Sequence, residues 1–304
     1  MEDFRIPIGE WIETVLDWIK INFAVIFDGV GTAFSALIEG LTDALLAVPE
    51  PALILVFALI GWLVRSWQLA IGTAVSFLLV VAMGQWTPAL QTLSLVLVAA
   101  IVTIAVAVPL GILMARNATA SAILRPVLDF MQTMPALVYL IPAITFFSIG
   151  VVPGVVATII FSLPPGVRFT ELGIRGVDPE RVEAGHAFGA TPGQILRGIQ
   201  LPLAAPTIMG GINQVVMLAL SMAVIAGFGG ADGAGKEVVA AISTLNVARG
   251  VEAGLSVVVL AIFLDRVTSA LGAPGDYRSS ILAILRRRRA NRPSGAEVTT
   301  RARV

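Results

Sequence analysis

Long apolar blocks alternate with short polar segments along most of this chain. A helix that spans a bilayer needs about 20 mostly apolar residues, and the pattern supplies seven blocks near that length. We predict spanning helices over residues 47–64, 67–84, 90–114, 134–150, 152–168, 206–228 and 253–271. Charged residues make up only 13% of the chain, compared with about 25% in a typical soluble domain. The expected fold class is an all-α polytopic membrane protein.

The N-terminal region follows a different pattern. Apolar residues from Trp11 to Ile26 fall close to one helical face, with acidic residues on the other. That arrangement is typical of an amphipathic helix that lies in the membrane interface. A further spanning helix around 22–47 is the alternative, but it would place three acids in lipid, where each is costly. These acids are Asp28, Glu39 and Asp43. We predict that residues 1–46 form an acidic, amphipathic and interfacial region.

Arginines are concentrated in alternate loops, and this orients the chain. Cytoplasmic loops carry an excess of Lys and Arg, and the basic loops here include residues 178–202. Seven arginines and one acid lie between Arg286 and the C-terminus. We therefore predict a cytoplasmic, arginine-rich tail over residues 273–304. With seven spans, the N-terminus and the loop over 229–252 would lie outside.

Few residues have the chemistry of a catalytic or metal site. The chain has no cysteine, which excludes disulfides and thiol catalysis. His186 is the only histidine and has no companion ligand, so we predict neither a metal site nor a catalytic residue. Residues 230–236 have the spacing of a phosphate loop, but Glu237 stands where that motif needs Ser or Thr. We interpret them as a flexible outer loop before a short helix over 236–247.

The most informative segment is the polar stretch over residues 178–202, which lies between two apolar blocks. Asp178 and Pro179 suit the start of a helix, and Gly189 suits its end. Thr191 then begins a second helical piece that leads into the next apolar block.

This stretch resembles the EAA loop of ABC-importer permeases. That loop has the pattern Glu-Ala-Ala, three residues, Gly, about nine residues, then Ile-x-Leu-Pro. Here Gly185 replaces the second Ala and the other positions match. The resemblance implies a cytoplasmic loop that docks on a separate ATPase. The docking residues it implies are Arg181, Glu183, Ala184, Gly185, His186, Gly189, Ile199, Leu201 and Pro202.

Four further segments narrow the resemblance. They are PVLDFMQTMPALVYLIPA at 126–143, VPGVVA at 152–157, LPPGVR at 163–168 and GINQVVMLALSM at 211–222. In this order they resemble the permease subunits of ABC importers for glycine betaine, proline betaine, choline and related osmoprotectants. The resemblance implies a type I ABC importer transmembrane domain over residues 47–272, located in the cytoplasmic membrane of a prokaryote.

The same resemblance implies partners. Two copies of the permease, a homodimer, would form one pore in the lipid bilayer. Each copy would dock an ABC ATPase subunit, which binds ATP and Mg²⁺, so this chain would hold no cofactor of its own. An extracytoplasmic substrate-binding protein would deliver the solute. No nucleic acid is implied.

Polar and soft side chains near the middle of the chain are candidates for the translocation pathway. Asn213, Met217 and Ser221 fall on one stripe of the sixth span, and polar groups in a span usually face a partner helix or a cavity. Interhelical hydrogen bonding and pore lining both account for them. Methionine offers an adaptable lining, although it also fills cores. The candidates are Met134, Asn213, Gln214, Met217 and Ser221.

Two other functions are alternatives. An ABC permease for another small solute, such as an amino acid, would share the fold. An ion-coupled secondary transporter usually needs ionisable groups inside the membrane, and no Asp or Glu occurs between Pro51 and Leu128. The absence of such groups favours an ATP-driven permease.

Overall fold

The computed structural model describes residues 7–272 and residue 279, and it contains no strand in that part of the chain. The predicted all-α class is confirmed. The tail predicted over 273–304 lies, apart from residue 279, outside the described residues. The α-helices are α1 (Ile8–Asn22), α2 (Ala24–Leu46), α3 (Glu50–Val64), α4 (Trp67–Ala82), α5 (Trp86–Arg116), α6 (Ala118–Thr133), α7 (Leu140–Phe147), α8 (Val151–Arg175), α9 (Pro179–Ala187), α10 (Pro192–Ile195), α11 (Leu201–Ala226), α12 (Ala234–Ser243) and α13 (Val247–Gly272).

Three long helices, α5, α8 and α11, form the centre of the bundle because small residues let their backbones approach closely. A Cβ on Gly111 of α5 would lie 2.4 Å from the Thr170 Cβ of α8. A Cβ on Gly166 of α8 would lie 2.8 Å from Ala107 of α5 and 3.0 Å from Val215 of α11. Small residues at such contacts are typical of helix association in a bilayer, where apolar burial from water supplies little driving force.

Five helical segments are long and apolar enough to cross a membrane. They are Ala24–Leu46, Trp86–Arg116, Val151–Arg175, Pro192–Gly229 and Val247–Gly272. The spans predicted over 90–114, 152–168, 206–228 and 253–271 each fall inside one of these segments, so those four predictions are confirmed.

The prediction of a single span over 134–150 was wrong. α6 ends at Thr133, and a bend of 109° separates it from the helical segment over 136–147. Met134 has an extended backbone, with ψ of 133°, because the ring of Pro135 disfavours a helical conformation at the residue before it. The apolar run therefore contains only the second arm, residues 136–147, of a bent pair whose first arm is α6.

The first two predicted spans are shorter than expected. α3 has 15 residues and α4 has 16, compared with about 20 for a spanning helix. The two helices pack against each other and against α13. Phe57 of α3 and Phe77 of α4 lie 5.4 and 5.5 Å from the Phe263 ring of α13, measured between centroids. Residues 47–64 and 67–84 thus form apolar helices that stop short of the predicted bounds.

The N-terminal region forms two helices, of which α2 is long and apolar enough to cross a membrane. Its contacts nevertheless keep both of its ends at one end of the bundle. Phe27 stacks on Phe146 at 4.6 Å, beside the start of α8. Four turns later, Glu39 and Asp43 line a cavity with Val151, the first residue of α8.

We call this end of the bundle the far end, because it lies opposite the loop over 178–202. A helix that crossed the membrane would descend about 1.5 Å per residue, and its two halves would then meet opposite ends of the neighbouring helices. The contacts of α2 favour the interfacial interpretation of residues 1–46 over an additional span.

Candidate functional site

The first helical piece of the loop over 178–202 has the boundaries that its sequence predicts. The Asp178 side chain caps α9, accepting a hydrogen bond of 3.0 Å from the Glu180 backbone N–H. Pro179 occupies the first position, where its missing N–H leaves no bond unmade. Gly189 follows the helix with a φ of +77°, a left-handed conformation that glycine adopts without strain.

The second helical piece runs without interruption into the spanning helix. Thr191 and Gln194 form a reciprocal capping box, in which the Gln194 N–H donates to Thr191 Oγ1 and the Thr191 N–H donates to Gln194 Oε1. α10 continues through a π-helical turn over Leu196–Gln200 into α11. Because the loop and α11 share one helical run, a displacement of the loop displaces the start of α11.

Gly185 holds the two pieces together, and it is the position that departs from the EAA pattern. It is buried, and a Cβ there would lie 2.8 Å from Ile199 Cδ1 and 3.3 Å from Ile195 Cγ1. Ile199 and Leu201 are half-buried. These three predicted residues therefore support the loop from inside rather than presenting a surface.

The other predicted docking residues are exposed. They are Arg181, Glu183, Ala184, His186, Gly189 and Pro202. Phe188 was not among the predicted docking residues, although its side chain is 92% exposed at the end of α9. An apolar side chain this exposed, next to Ala184 and Ala187, suits contact with another protein. The signal was present, because Phe188 is the only Phe, Trp or Tyr in residues 178–202.

The candidate pathway residue Asn213 bonds to a neighbouring helix. Its Nδ2 donates to Asp265 Oδ1 of α13 at 3.0 Å, and Thr268 Oγ1 donates to its Oδ1. Interhelical hydrogen bonding therefore accounts for Asn213 within one chain. Asp265 was not among the predicted site residues, although it is an acid inside an apolar helix, where ionisable groups are rare.

The remaining pathway candidates lie on other surfaces. Gln214 and Ser221 are exposed and Met217 is half-buried, with the Ser221 hydroxyl donating to the Met217 carbonyl at 3.1 Å. Met134 packs at the bend after α6, in an apolar cluster that includes Met222 of α11. The structure thus brings Met134 to the helix that carries the other four, and it leaves Gln214 and Ser221 free to face a partner or a passage.

A buried carboxylate close to the loop was also missed. Only 7% of the Glu171 side chain is exposed. Its Oε1 accepts hydrogen bonds from Ser121 Oγ at 2.8 Å and Arg125 Nη2 at 3.0 Å, both on α6. Arg175 Nε lies 2.9 Å away, and Arg175 Nη2 donates to the Met114 carbonyl of α5 at 2.8 Å. The carboxylate is buried while the two arginines are partly exposed, at 57% and 42%, so the network joins α5, α6 and α8 through this one buried acid.

A second ion pair joins α6 to α8 about one turn farther along. Arg168 Nη2 donates to Asp129 Oδ1. Asp129 and Arg168 line one cavity of 380 Å³ together with the charged groups of the Glu171 network. We call the five residues Arg125, Asp129, Arg168, Glu171 and Arg175 the α6–α8 charge ladder.

The glycine-rich segment over 230–236 is tightly packed, so its interpretation as a flexible loop was wrong. A Cβ on Gly227 would lie 2.4 Å from the Gly235 carbonyl carbon, and the Ala234 N–H donates to Thr92 Oγ1 of α5 at 2.8 Å. Lys236 pairs with Asp232 at 2.7 Å. The helix that follows, α12, covers Ala234–Ser243 rather than 236–247. Among the described residues, no group of three or more His, Cys, Asp or Glu could hold a metal ion.

Comparisons with known proteins show the family to which this chain belongs. The model described as "Binding-protein-dependent transport system inner membrane component" matches residues 107–273. The chain is 48% identical over 264 residues to the glycine betaine transport system permease protein OpuAB of Bacillus subtilis (strain 168), covering 87% of this chain and 94% of that protein. It is 46% identical over 275 residues to the glycine betaine/proline betaine transport system permease protein ProW of Escherichia coli (strain K12), covering 90% of this chain and 78% of that protein.

A solved structure shows the same fold. The inward-facing MetNI methionine ABC transporter matches with a TM-score of 0.57 at 20% identity, covering 62% of this chain and 94% of that chain. The predicted fold of a type I ABC importer permease is therefore confirmed. Because the family model spans more than half of the sequence and both relatives match over most of their length, this chain belongs to the family of binding-protein-dependent transport system inner membrane components, as an ABC-importer permease.

Proposed function

We propose that this chain forms the translocation pore of an ATP-driven importer for glycine betaine or related quaternary ammonium osmoprotectants. The substrate class is supported by the names of the two relatives, OpuAB and ProW, which are 48% and 46% identical to this chain. An importer of another small solute, such as an amino acid, is the alternative within the family.

The chain works with three partners in this proposal. An ABC ATPase subunit binds the exposed side of α9 and hydrolyses ATP, so the permease needs no catalytic site of its own. A second copy of the chain completes the pore. A substrate-binding protein delivers the solute at the far end, outside the cytoplasmic membrane of a prokaryote, while the loop over 178–202 and the C-terminus lie inside.

One observation carries the coupling mechanism. The helical run over Pro192–Gly229 is continuous from the loop to the far end, and Gly185 seats α9 directly against its start. When the ATPase moves α9, the base of α11 moves with it, and the exposed Gln214 and Ser221 change their position relative to the second copy. Alternation between two pore states then needs no ionisable group in the membrane.

Reconstitution tests this function. The permease, the ATPase and the binding protein are placed in proteoliposomes, and uptake of labelled glycine betaine is measured with and without ATP. We expect uptake to require both ATP and the binding protein. Unlabelled glycine lacks the methyl groups, so we expect it not to inhibit uptake.

A variant of the loop provides the control for coupling. Glu183 is exposed on α9, so Glu183→Lys leaves the membrane fold intact while reversing a charge on the docking surface. We expect assembly with the ATPase to weaken or uptake to fall while the purified permease keeps its thermal stability.

Uptake driven by an ion gradient without ATP would instead identify a secondary transporter.

A further inference from the structure

The charge ladder between α6 and α8 has a regular arrangement along both helices. On α6, Ser121, Arg125 and Asp129 are spaced four residues apart and so lie on one face. On α8, Arg168, Glu171 and Arg175 are spaced three and four apart, also on one face. The helices run antiparallel along this seam, because Asp129 meets Arg168 and Ser121 meets Glu171.

The ladder ends where the docking loop begins. Arg175 is the last residue of α8, and the Asp178 cap of α9 follows after two residues. At its other end, α6 stops at Thr133, where the chain bends by 109° into the segment over 136–147. The ladder therefore connects the root of the docking loop to one arm of the bent pair, which carries the candidate pathway residue Met134.

Burial and charge make this connection stiff. Glu171 has its carboxylate bonded to three side chains at 2.8 to 3.0 Å, and a buried charge that loses its partners is strongly disfavoured. Separation of α6 from α8 during a transport cycle would break the bonds from Ser121 and Arg125 and leave Glu171 with only Arg175 of its own helix, so the two helices keep their contact and move together with the loop.

We propose that Glu171 is a positioning residue for transport: it locks α6 to the end of α8, so that a displacement of the docking loop also displaces the bend at Met134. The transport readout rests on the proposed function, in which an ATPase moves this loop. The loop then moves two elements of the pore. It moves α11 because the two share one helical run, and it moves the bent pair through the charge ladder.

The test begins with Glu171→Gln, which keeps the size of the side chain and removes its charge. In the reconstituted complex we expect ATP hydrolysis to continue and the ratio of solute imported to ATP hydrolysed to fall by about tenfold, within the range typical of coupling between sites. Glu13→Gln on α1, an exposed acid outside the ladder, is the matched control and should leave the ratio unchanged. An unchanged ratio in Glu171→Gln overturns the proposal.

A charge exchange keeps the proposal testable if Glu171→Gln does not assemble. Asp129 and Arg168 are more exposed, with side-chain exposures of 64% and 37%. We expect Asp129→Arg and Arg168→Asp each to lower the ratio and the double exchange to restore it. A purely structural role would alter stability without this rescue. Two results overturn the proposal: single variants with the wild-type ratio, or a double exchange that does not restore the ratio.

A distance measurement separates this inference from the proposed function. The chain has no cysteine, so spin labels can be placed at Thr119→Cys on α6 and Glu180→Cys on α9, both exposed. We expect their distance to stay constant between the ATP-free and ATP-bound complex, and to change or broaden in Glu171→Gln. A distance that changes in the wild type overturns the ladder. If the wild-type complex keeps the distance but imports no glycine betaine, only the proposed substrate is refuted and the ladder stands.

Discussion

Gly189 is the residue on whose backbone the docking loop depends most. Its φ of +77° is left-handed, and such a conformation costs a non-glycine residue about 1–2 kcal/mol, least for Asn. No other atoms crowd the site, so the cost is conformational and not steric. We therefore expect Gly189→Val to redirect the chain after α9 and to reduce coupled transport, while Gly189→Asn retains most of it.

The two variants differ in backbone preference and are both accommodated in open space, which makes them a matched pair. The measurement is the ratio of uptake to ATP hydrolysis, with thermal unfolding of the purified permease as the control. Equal loss in both variants would show that a side chain at this site, and not the backbone conformation, disturbs docking.

Gly185 presents the opposite case, in which space and not conformation is limiting. The nearest atom to a Cβ is Ile199 Cδ1 at 2.8 Å, the far end of a flexible side chain, which can move. Alanine also gains about 1 kcal/mol of helix propensity over glycine. We expect Gly185→Ala to keep near wild-type stability and transport.

A larger side chain at the same position cannot be accommodated in that way. Overpacking typically costs about 1–3 kcal/mol, so Gly185→Leu should detach α9 from its seat on Ile195 and Ile199 and abolish coupling. The measurement is assembly with the ATPase together with thermal unfolding. Tolerance of the leucine would mean that α9 does not need this seat.

At the scale of the elements, close helix packing depends on Gly111. A Cβ there would lie 2.4 Å from Thr170 Cβ and 2.7 Å from the Val167 carbonyl oxygen, and neither atom can rotate away. We expect Gly111→Ala to force α5 and α8 apart and to lower stability by about 1–3 kcal/mol.

Gly72 on α4 is the control for that substitution. It is exposed, with no atom within 4 Å of a built Cβ, so Gly72→Ala should be neutral or slightly stabilising. Thermal unfolding of the two variants in one detergent compares them directly. If Gly111→Ala behaves like Gly72→Ala, the close approach of α5 and α8 is not required.

The placement of α2 is a second prediction at this scale. Its two halves both contact the far end of the bundle, so single cysteines at Val25 and Ala47, both exposed, should react with an impermeant thiol reagent from the same side of intact cells. A helix that spans the membrane would place them on opposite sides. Labelling of only one of them before permeabilisation would therefore contradict the interfacial placement.

At the scale of the whole molecule, the topology itself is testable. Val247 begins α13 at the far end and is 77% exposed, and Glu180 lies at the exposed start of α9. We expect Val247→Cys to react from outside in intact cells and Glu180→Cys only after permeabilisation. Gly233 would be a poor choice for the outer label, because it is buried and has a φ of +127°. The reverse labelling would invert the orientation and remove the docking interpretation.

Sequence alone determined the features that depend on local chemistry. The caps at Asp178 and Thr191 and the end of α9 at Gly189 follow from the side chains that satisfy or release helix termini. The spans over 90–114, 152–168, 206–228 and 253–271 follow from apolar length, because a bilayer leaves a helix few other arrangements. The family followed as well, since the EAA pattern depends on spacing within one loop.

Only the tertiary structure decided what depends on contacts between distant residues. Apolar composition alone did not show which part of the bundle α2 contacts, because that depends on what packs alongside. Glu171 and Arg125 are 46 residues apart, and no spacing rule pairs them. The same holds for Asn213 and Asp265, 52 residues apart. Such pairs hold distant helices together, because a buried polar group is costly unless it is hydrogen-bonded. The partner can come from any part of the chain that the fold places beside it.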